Sequence, residues 1–150
     1  MKRYDICPVP APRMSKQDRW GKRPAVQRFK AFGQKVRLAR VELPQPCRVV
    51  FYLPMPKSWS AKKSMENEHA PHESKPDLDN LLKGLIDAVF YKQKDADKRI
   101  WSVWAEKRWT DGTGHFTIEA WHEQPVHPCL WCSGGDGYHD ERCNRPAEER

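Results

Sequence analysis

The chain has 150 residues, of which 38% are hydrophobic and 31% charged, and it carries a formal net charge of +7. This composition predicts a globular domain with a modest core and excludes a disordered chain. No apolar run approaches the roughly 20 residues that a transmembrane helix needs, and the N-terminus has no apolar stretch typical of a secretory signal. We therefore expect a cytoplasmic protein that does not bind membranes.

The first third of the chain predicts a strand, a helix and a second strand. Residues 3–9 can form a short strand, which closely spaced prolines end. Pro24 suits the first turn of a helix that extends to about Arg40. Residues 47–56 are rich in β-branched and aromatic side chains and predict the next strand. The predicted helix has apolar residues at helical spacing, namely Val26, Phe29, Phe32 and Val36.

The chain continues with about 20 residues, 57–76, which show no clear periodicity and predict a functional or disordered loop. A helix begins at Asp77, and residues 100–109 and 115–121 have the composition of two strands. The glycine-containing segment 110–114 between them fits a hairpin. Alternation in the last strand predicts one buried face, formed by Phe116, Ile118 and Ala120.

These elements predict an α/β fold of α+β character, in which a mixed β-sheet packs against helices. Their order is β-α-β-α-β-β, and the last two strands are expected to form an antiparallel hairpin. We expect the main domain to span residues 1–122. Residues 123–150 are rich in Pro, Gly and Cys and are expected to form a small appendage.

Positive charge is concentrated between Arg13 and Arg40, where ten Lys or Arg residues face a single acid, Asp18. Such runs are commonly solvated surfaces, but the one-sided balance favours a surface that binds a polyanion. Nucleic acid is favoured over a membrane because no basic helix with a bulky apolar face is evident. The residues expected to contact DNA are Arg13, Lys16, Arg19, Trp20, Lys22, Arg23 and Lys75.

Two aspartates stand one residue apart at the start of the second long helix, in the segment KPDLDNLLKGLIDAVF. Asp77 suits the N-cap, and Asp79 suits the first turn, where the helix dipole favours negative charge. Capping explains either aspartate alone but does not require both. Asp79, Lys83 and Asp87 lie four residues apart on one helix face, a spacing that also fits ordinary ion pairs.

Clustered carboxylates on a basic protein also fit a site for Mg²⁺ or Mn²⁺. Basic residues would then hold phosphates, the metal would support phosphodiester cleavage, and Lys83 could neutralise charge that develops on the phosphate. Such a site needs a third carboxylate, which Asp95 or Asp97 can supply. The alternative for these two residues is a polar turn between the helix and the next strand.

The motif around these residues resembles the RusA family of Holliday junction resolvases. It comprises KPDLDNLLKGLIDAVF, followed by DADKRI and AEKRW, and the close resemblance covers residues 75–109. A looser resemblance extends over residues 1–121 and includes the basic N-terminal region. It implies a RusA-like fold.

The resemblance also implies roles for individual residues. Asp77 and Asp79 match the first two metal-binding catalytic acids, and Lys83 matches the functional lysine. Asp97 matches the third acid, because this alignment keeps the following strand in register. The family has an adjacent acidic pair here, whereas this chain has alanine before Asp97, which leaves Asp95 as the reserve candidate.

Three of the five cysteines lie in the C-terminal appendage. They and one histidine have the spacing of a tetrahedral Zn²⁺ site, formed by Cys129, Cys132, His139 and Cys143. His127 is a competing fourth ligand, and the alternative is a flexible tail with incidental thiols. Cys7 and Cys47 fall in predicted strands and are expected to be buried apolar residues.

The function that the resemblance implies is resolution of four-way DNA junctions by paired nicks, in DNA recombination and repair. It implies a homodimer, which suits two symmetric cuts, and dependence on Mg²⁺ or Mn²⁺. The alternative is a branched-DNA-binding module of the same fold with impaired cleavage, which the displaced acid before Asp97 would favour. A zinc-stabilised interaction protein is a third possibility and requires the appendage to be the essential part.

Overall fold

The computed structural model describes residues 1–13, 23–93, 95 and 97–121 of the chain. In this part, a short 3₁₀-helix, Asp97–Arg99, precedes the last two strands. The strands are β1 (Lys2–Tyr4), β2 (Cys47–Pro54), β3 (Val103–Thr110) and β4 (His115–Ala120). The helices are α1 (Pro24–Leu38), α2 (Ala61–Asn67) and α3 (Leu78–Val89). The predicted α+β fold with a mixed sheet is confirmed, and α2 is an additional element.

The four strands form one mixed sheet in the order β1-β4-β2-β3. β2 pairs in parallel with β3 and antiparallel with β4, whose other neighbour is β1. The predicted hairpin at 110–114 is therefore wrong, because β2 lies between β3 and β4. A parallel pair needs a long crossover connection, which the segment containing α2 and α3 supplies between β2 and β3.

Gly114 lies where the chain passes over the end of β2 on its way to β4. A Cβ atom at this position would stand 2.7 Å from Cys7 Sγ and 3.3 Å from Pro54 Cδ. Cys7 follows β1, which ends at Tyr4, and it is exposed. The prediction of a buried strand cysteine is therefore wrong for Cys7, whereas Cys47 opens β2 and is buried as expected.

The core lies between one face of the sheet and the paired helices α1 and α3. The register places Val49 beside Ile118 and Phe51 beside Phe116. The predicted apolar stripe of α1 is confirmed, with Phe29 half-buried at its margin. The helices add Phe32, Val36, Leu81, Leu85 and Ala88 to this core.

Burial in β4 extends to both faces at its start. His115 and Thr117 are buried together with the predicted Phe116 and Ile118, whereas Ala120 is exposed. The prediction of a single buried face is therefore only partly correct. The cause is tertiary, because β4 is an inner strand and the Tyr52 ring stacks on the His115 ring at 4.4 Å.

The segment 57–76, expected to lack regular structure, contains α2 and a stretch that pairs with β3. Ser60 caps α2 by accepting a hydrogen bond from the Lys63 backbone N–H at 3.3 Å. The His69 N–H then donates to the Trp109 carbonyl, and the Trp109 N–H donates to the Ala70 carbonyl. This pairing covers the outer edge of β3, the last strand of the sheet.

The predicted boundaries at two strands shift for local reasons. β1 ends at Tyr4 rather than near residue 9, and β3 begins at Val103 rather than at residue 100. The 3₁₀-helix Asp97–Arg99 occupies the approach to β3 and delays its start. Within the described residues, no helix combines the length and the apolar character needed to cross a membrane.

Candidate active site

The two acids stand at the start of α3, as the sequence predicts. Asp77 is the N-cap residue, with extended backbone angles of φ −70° and ψ 144°, and its carbonyl accepts from the Leu81 N–H at 3.2 Å. Its side chain makes no capping hydrogen bond. Capping therefore accounts for the Asp77 backbone but not for its carboxylate, which is exposed beside the exposed Asp79 of the first turn.

Lys83 lies one helical turn after Asp79 and is also exposed. The four-residue spacing places both side chains on the same face of α3. Among the described residues, Lys83 forms no ion pair within 4.0 Å, so the ordinary ion pair that this spacing also fits is not made with Asp79. The ammonium group of Lys83 is thus available to a ligand bound at the start of α3.

The segment leading to Asp77 is fastened to β3 by Lys107. The Lys107 Nζ donates to the carbonyl oxygens of Ser74 at 2.6 Å and of Pro76 at 2.9 Å. One ammonium group therefore holds the backbone of residues 74–76, directly before Asp77, against β3. Lys107 lies in the motif AEKRW, but the sequence assigns it no role, because only the tertiary structure brings β3 to this segment.

His72 packs in the same segment, and only 5% of its surface is exposed. Its N–H donates to the Lys107 carbonyl at 3.0 Å, and its ring lies 3.7 Å from the Trp109 ring. Burial, together with the nearby Lys107 charge, lowers the pKa of His72 below its ordinary value. The neutral ring suits this packed position, and the segment is held by both backbone and side-chain contacts.

The candidates for the third acid lie in a turn rather than in an extended strand. Asp95 has a left-handed backbone with φ 60°, and its carboxylate pairs with Lys98 Nζ at 2.7 Å on the exposed surface. Asp97 begins the 3₁₀-helix Asp97–Arg99, but its side chain lies outside what the structure describes. The assignment of Asp97 as the third acid, with Asp95 in reserve, therefore stays a prediction.

The basic N-terminal region is joined to α3 near the acids. The Ala11 N–H donates to the Asn80 carbonyl at 2.9 Å. A Cβ atom on Gly84 would stand 2.7 Å from the Val9 carbonyl oxygen, so the glycine permits this close crossing. Two residues further along, Arg13 accepts a 2.8 Å hydrogen bond through its carbonyl from the guanidinium of Arg23.

Arg13 and Arg23 are exposed and bracket the part of the basic run that the sequence assigns to DNA contact. Lys75 is exposed directly before Pro76. The other predicted DNA contacts lie outside the described residues, namely Lys16, Arg19, Trp20 and Lys22. The predicted Zn²⁺ ligands also lie outside them, namely Cys129, Cys132, His139 and Cys143, with His127 as the competing ligand.

The described side chains include no group of three His, Cys, Asp or Glu residues that could hold a metal ion. The Asp97 side chain is not among those described, so two of the three predicted ligands can be placed. Asp77 and Asp79 present hard oxygen donors to solvent from one helix start, and Mg²⁺ and Mn²⁺ prefer such donors. This pair fits part of a divalent-metal site.

A second charged network lies on β2, β3 and β4, where no local sequence signal predicts it. Glu106 accepts hydrogen bonds from Arg48 and Arg108, each with a contact of 2.6 Å, and Arg48 also reaches Glu119 at 3.3 Å. Burial alone would raise the pKa of Glu106, but the bonds from Arg108 and Arg48 outweigh it, and the pKa is lowered. This network joins the three strands at residues that alternate with the core positions.

The fold and the site together define a small α+β protein with two exposed acids at the start of a helix that the N-terminal segment crosses. The family described as Endodeoxyribonuclease RusA has a model that matches residues 8–119. The chain belongs to this family, which confirms the resemblance seen in its motifs. No curated protein and no solved structure matches the chain.

Membership identifies the chain as an endodeoxyribonuclease of the junction-resolving kind, from a family that acts on branched DNA. Nucleases of this family generally depend on divalent metals. The matched range contains the three predicted acids, Lys83 and Lys107, and it ends before the cysteine-rich appendage.

Proposed function

We propose that this chain is a homodimeric, divalent-metal-dependent nuclease that resolves four-way junctions by paired nicks in recombination and repair. The observation that carries this proposal is the state of Asp77, which occupies the N-cap yet makes no capping bond with its carboxylate. An aspartate in this position ordinarily caps the helix. Here the charge is presented to solvent beside Asp79 and is available to a cation.

In this proposal Asp77, Asp79 and Asp97 hold Mg²⁺ or Mn²⁺. When bound, the ion would activate water and stabilise the departing oxygen of the cleaved phosphodiester. Lys83, on the same face of α3 as Asp79, offsets the negative charge that develops on the phosphate. The basic segment that begins at Arg13 binds neighbouring phosphates and orients the strand towards the acids.

Lys107 is assigned a positioning role. It does not need to touch the substrate, because its ammonium group holds the two carbonyls that precede Asp77. The backbone of Asp79 is set by α3, whereas Asp77 stands where the exposed segment enters the helix. Without Lys107 this segment would sample several orientations, but metal ligands must be held to within a fraction of an ångström. Lys107 therefore limits the positions that Asp77 can take relative to Asp79.

Homodimerisation follows from the chemistry of resolution. A four-way junction is resolved by two symmetric cuts. One copy of this chain presents one pair of acids at the start of α3. Two copies related by a two-fold axis would supply two such sites. The Zn²⁺ site in the appendage remains a separate proposal, and we assign the appendage an accessory role.

The test is cleavage of a synthetic four-way junction by Asp77→Asn and Asp79→Asn variants. Asparagine caps a helix about as well as aspartate, so each variant should lose about 1 kcal/mol of stability or less. We expect both variants to bind the junction and to lose cleavage in Mg²⁺, while the wild type cuts in Mg²⁺ and stops in EDTA.

Asp5→Asn is the matched control. Asp5 is exposed and pairs with Arg3 on the N-terminal segment, so this change removes one carboxylate charge away from α3. It should cut at the wild-type rate. Near-normal cleavage by either α3 variant would show that these carboxylates do not form the metal site.

A further inference from the structure

α2 is an ordered helix that adds nothing to the core. It has seven residues, none of which is buried. A helix this short is not stable by itself in water, and its local support comes from the Ser60 cap and from Asn67 Nδ2, which donates to the Lys63 carbonyl at 2.8 Å. The chain thus maintains a surface helix whose side chains are directed mainly to solvent.

Trp59, just before α2, attaches this helix to the sheet. Its ring lies 5.0 Å from the ring of Trp109 on β3. The Lys63 Nζ lies 4.5 Å from the centre of the Trp59 ring, a distance typical of a cation–π contact. The helix is therefore held at the edge of β3, with one of its lysines placed over the anchoring ring.

The exposed side chains at α2 include three lysines. Lys57, Lys62 and Lys63 are exposed and bring three positive charges, against the exposed Glu66 in the helix and the partly exposed Glu68 at its C-cap. The side chain of Met65 is prominent, with 80% of its surface exposed. We name as the α2 surface the residues Lys57, Trp59, Lys62, Lys63 and Met65.

The α2 surface and the segment before Asp77 both contact β3. The Trp109 ring contacts the Trp59 ring, and Lys107 donates a hydrogen bond to the segment before Asp77. These two residues are two positions apart on β3 and therefore lie on the same side of that strand. Two residues of strand span about 7 Å. The anchor of α2 and the segment before Asp77 are therefore held at neighbouring points on one face of the sheet.

We propose that the α2 surface is a second DNA-contacting surface, which grips the phosphates of a junction arm next to the cut site. The proposal rests on the assignment of Asp77 and Asp79 to the cut site. Lysines on a solvent-exposed helix suit sequence-independent contacts with phosphates. The exposed lysines favour DNA over an apolar protein partner, because protein interface cores are depleted in lysine.

The test compares the salt dependence of junction binding in EDTA, where no metal-dependent cleavage occurs. The variant Lys62→Glu/Lys63→Glu reverses two charges of the α2 surface. Glutamate in the first turn of a helix is favourable, so α2 should persist, which circular dichroism checks. The matched control is Lys2→Glu/Lys92→Glu, which reverses two exposed lysines on β1 and after the end of α3.

We expect Lys62→Glu/Lys63→Glu to weaken binding at least tenfold near 100 mM salt and to reduce the slope of log K against log salt by about 2, since each lost phosphate contact removes about 0.9. The control should keep the wild-type slope. A photo-crosslinking residue in place of Met65 should react with a junction arm. An unchanged slope, or no cross-link to DNA, overturns the proposal.

Other outcomes separate this proposal from the proposed function. If the wild type binds and cuts the junction while the α2 variant keeps its slope, the α2 surface fails and the nuclease assignment stands. If the α2 variant instead changes the sedimentation of the free protein with an unchanged slope, α2 is a contact between copies, and the proposal is overturned. If the wild type neither binds nor cuts junctions, the proposed function itself fails.

Discussion

Replacing Lys107 by methionine removes one ammonium group while keeping most of its aliphatic stem. The change breaks hydrogen bonds of 2.6 Å and 2.9 Å to the Ser74 and Pro76 carbonyls. A charge-assisted hydrogen bond in a partly buried position contributes about 1.5 kcal/mol or more, and the more exposed bond to Ser74 contributes less than about 1 kcal/mol. The expected loss of stability is about 2 kcal/mol.

That loss corresponds to a decrease of about 4–8 °C in melting temperature for a chain of this size, which calorimetry would measure. The functional effect should be larger than this, because the freed segment carries Asp77. We expect cleavage to require about tenfold more Mg²⁺ and to be slower at saturation. Binding of the junction in EDTA should stay within about twofold of the wild type.

Two further variants test whether Lys107 acts by positioning Asp77. Lys107→Arg can still donate to carbonyl oxygens and should recover part of the Mg²⁺ response. Because arginine also keeps the positive charge, the near-wild-type binding of the junction by Lys107→Met in EDTA is what separates the positioning role from a lost DNA contact. Lys2→Met removes an exposed lysine from the opposite edge of the sheet and should behave as the wild type. If Lys107→Met cuts with the wild-type rate and Mg²⁺ requirement, the positioning role is wrong.

Asp97→Asn should bind junctions without cutting them, whereas Asp95→Asn should retain substantial cleavage; the opposite result in a junction assay would exchange their assignments. Glu106→Gln should remove stability that the wild type has fully above the ordinary carboxyl pKa of 4.5 and loses as pH falls through the lowered pKa. Urea titrations should therefore show the largest difference from wild type near neutral pH and a shrinking one in acid. Gly84→Ala should cost about 1–2 kcal/mol in the same assay, because its Cβ meets the Val9 backbone. Gly33→Ala should be neutral or stabilising by up to about 1 kcal/mol, because its Cβ comes tightly against the end of a flexible arginine and makes an ordinary contact with Ala88.

Elements with local signals could be predicted from the sequence. Pro24 and the apolar spacing after it predicted α1, and the boundary at Asp77 predicted the start of α3. Asp77, Asp79 and Lys83 could be placed on one short stretch of helix because a helix fixes the relation between residues a few positions apart. The same local motif was enough to recognise the family, which the match over residues 8–119 confirms.

The tertiary structure decided what depends on distant partners. Local turn residues at 110–114 gave no indication that β2 separates β3 from β4, since strand neighbours are set by the crossover and by packing. The carbonyls of Ser74 and Pro76 find their donor on Lys107, more than 30 residues later in the chain. Asp77 shows why both levels were needed: its sequence position predicted an N-cap, but only the folded structure showed that its carboxylate makes no capping bond and is presented to solvent.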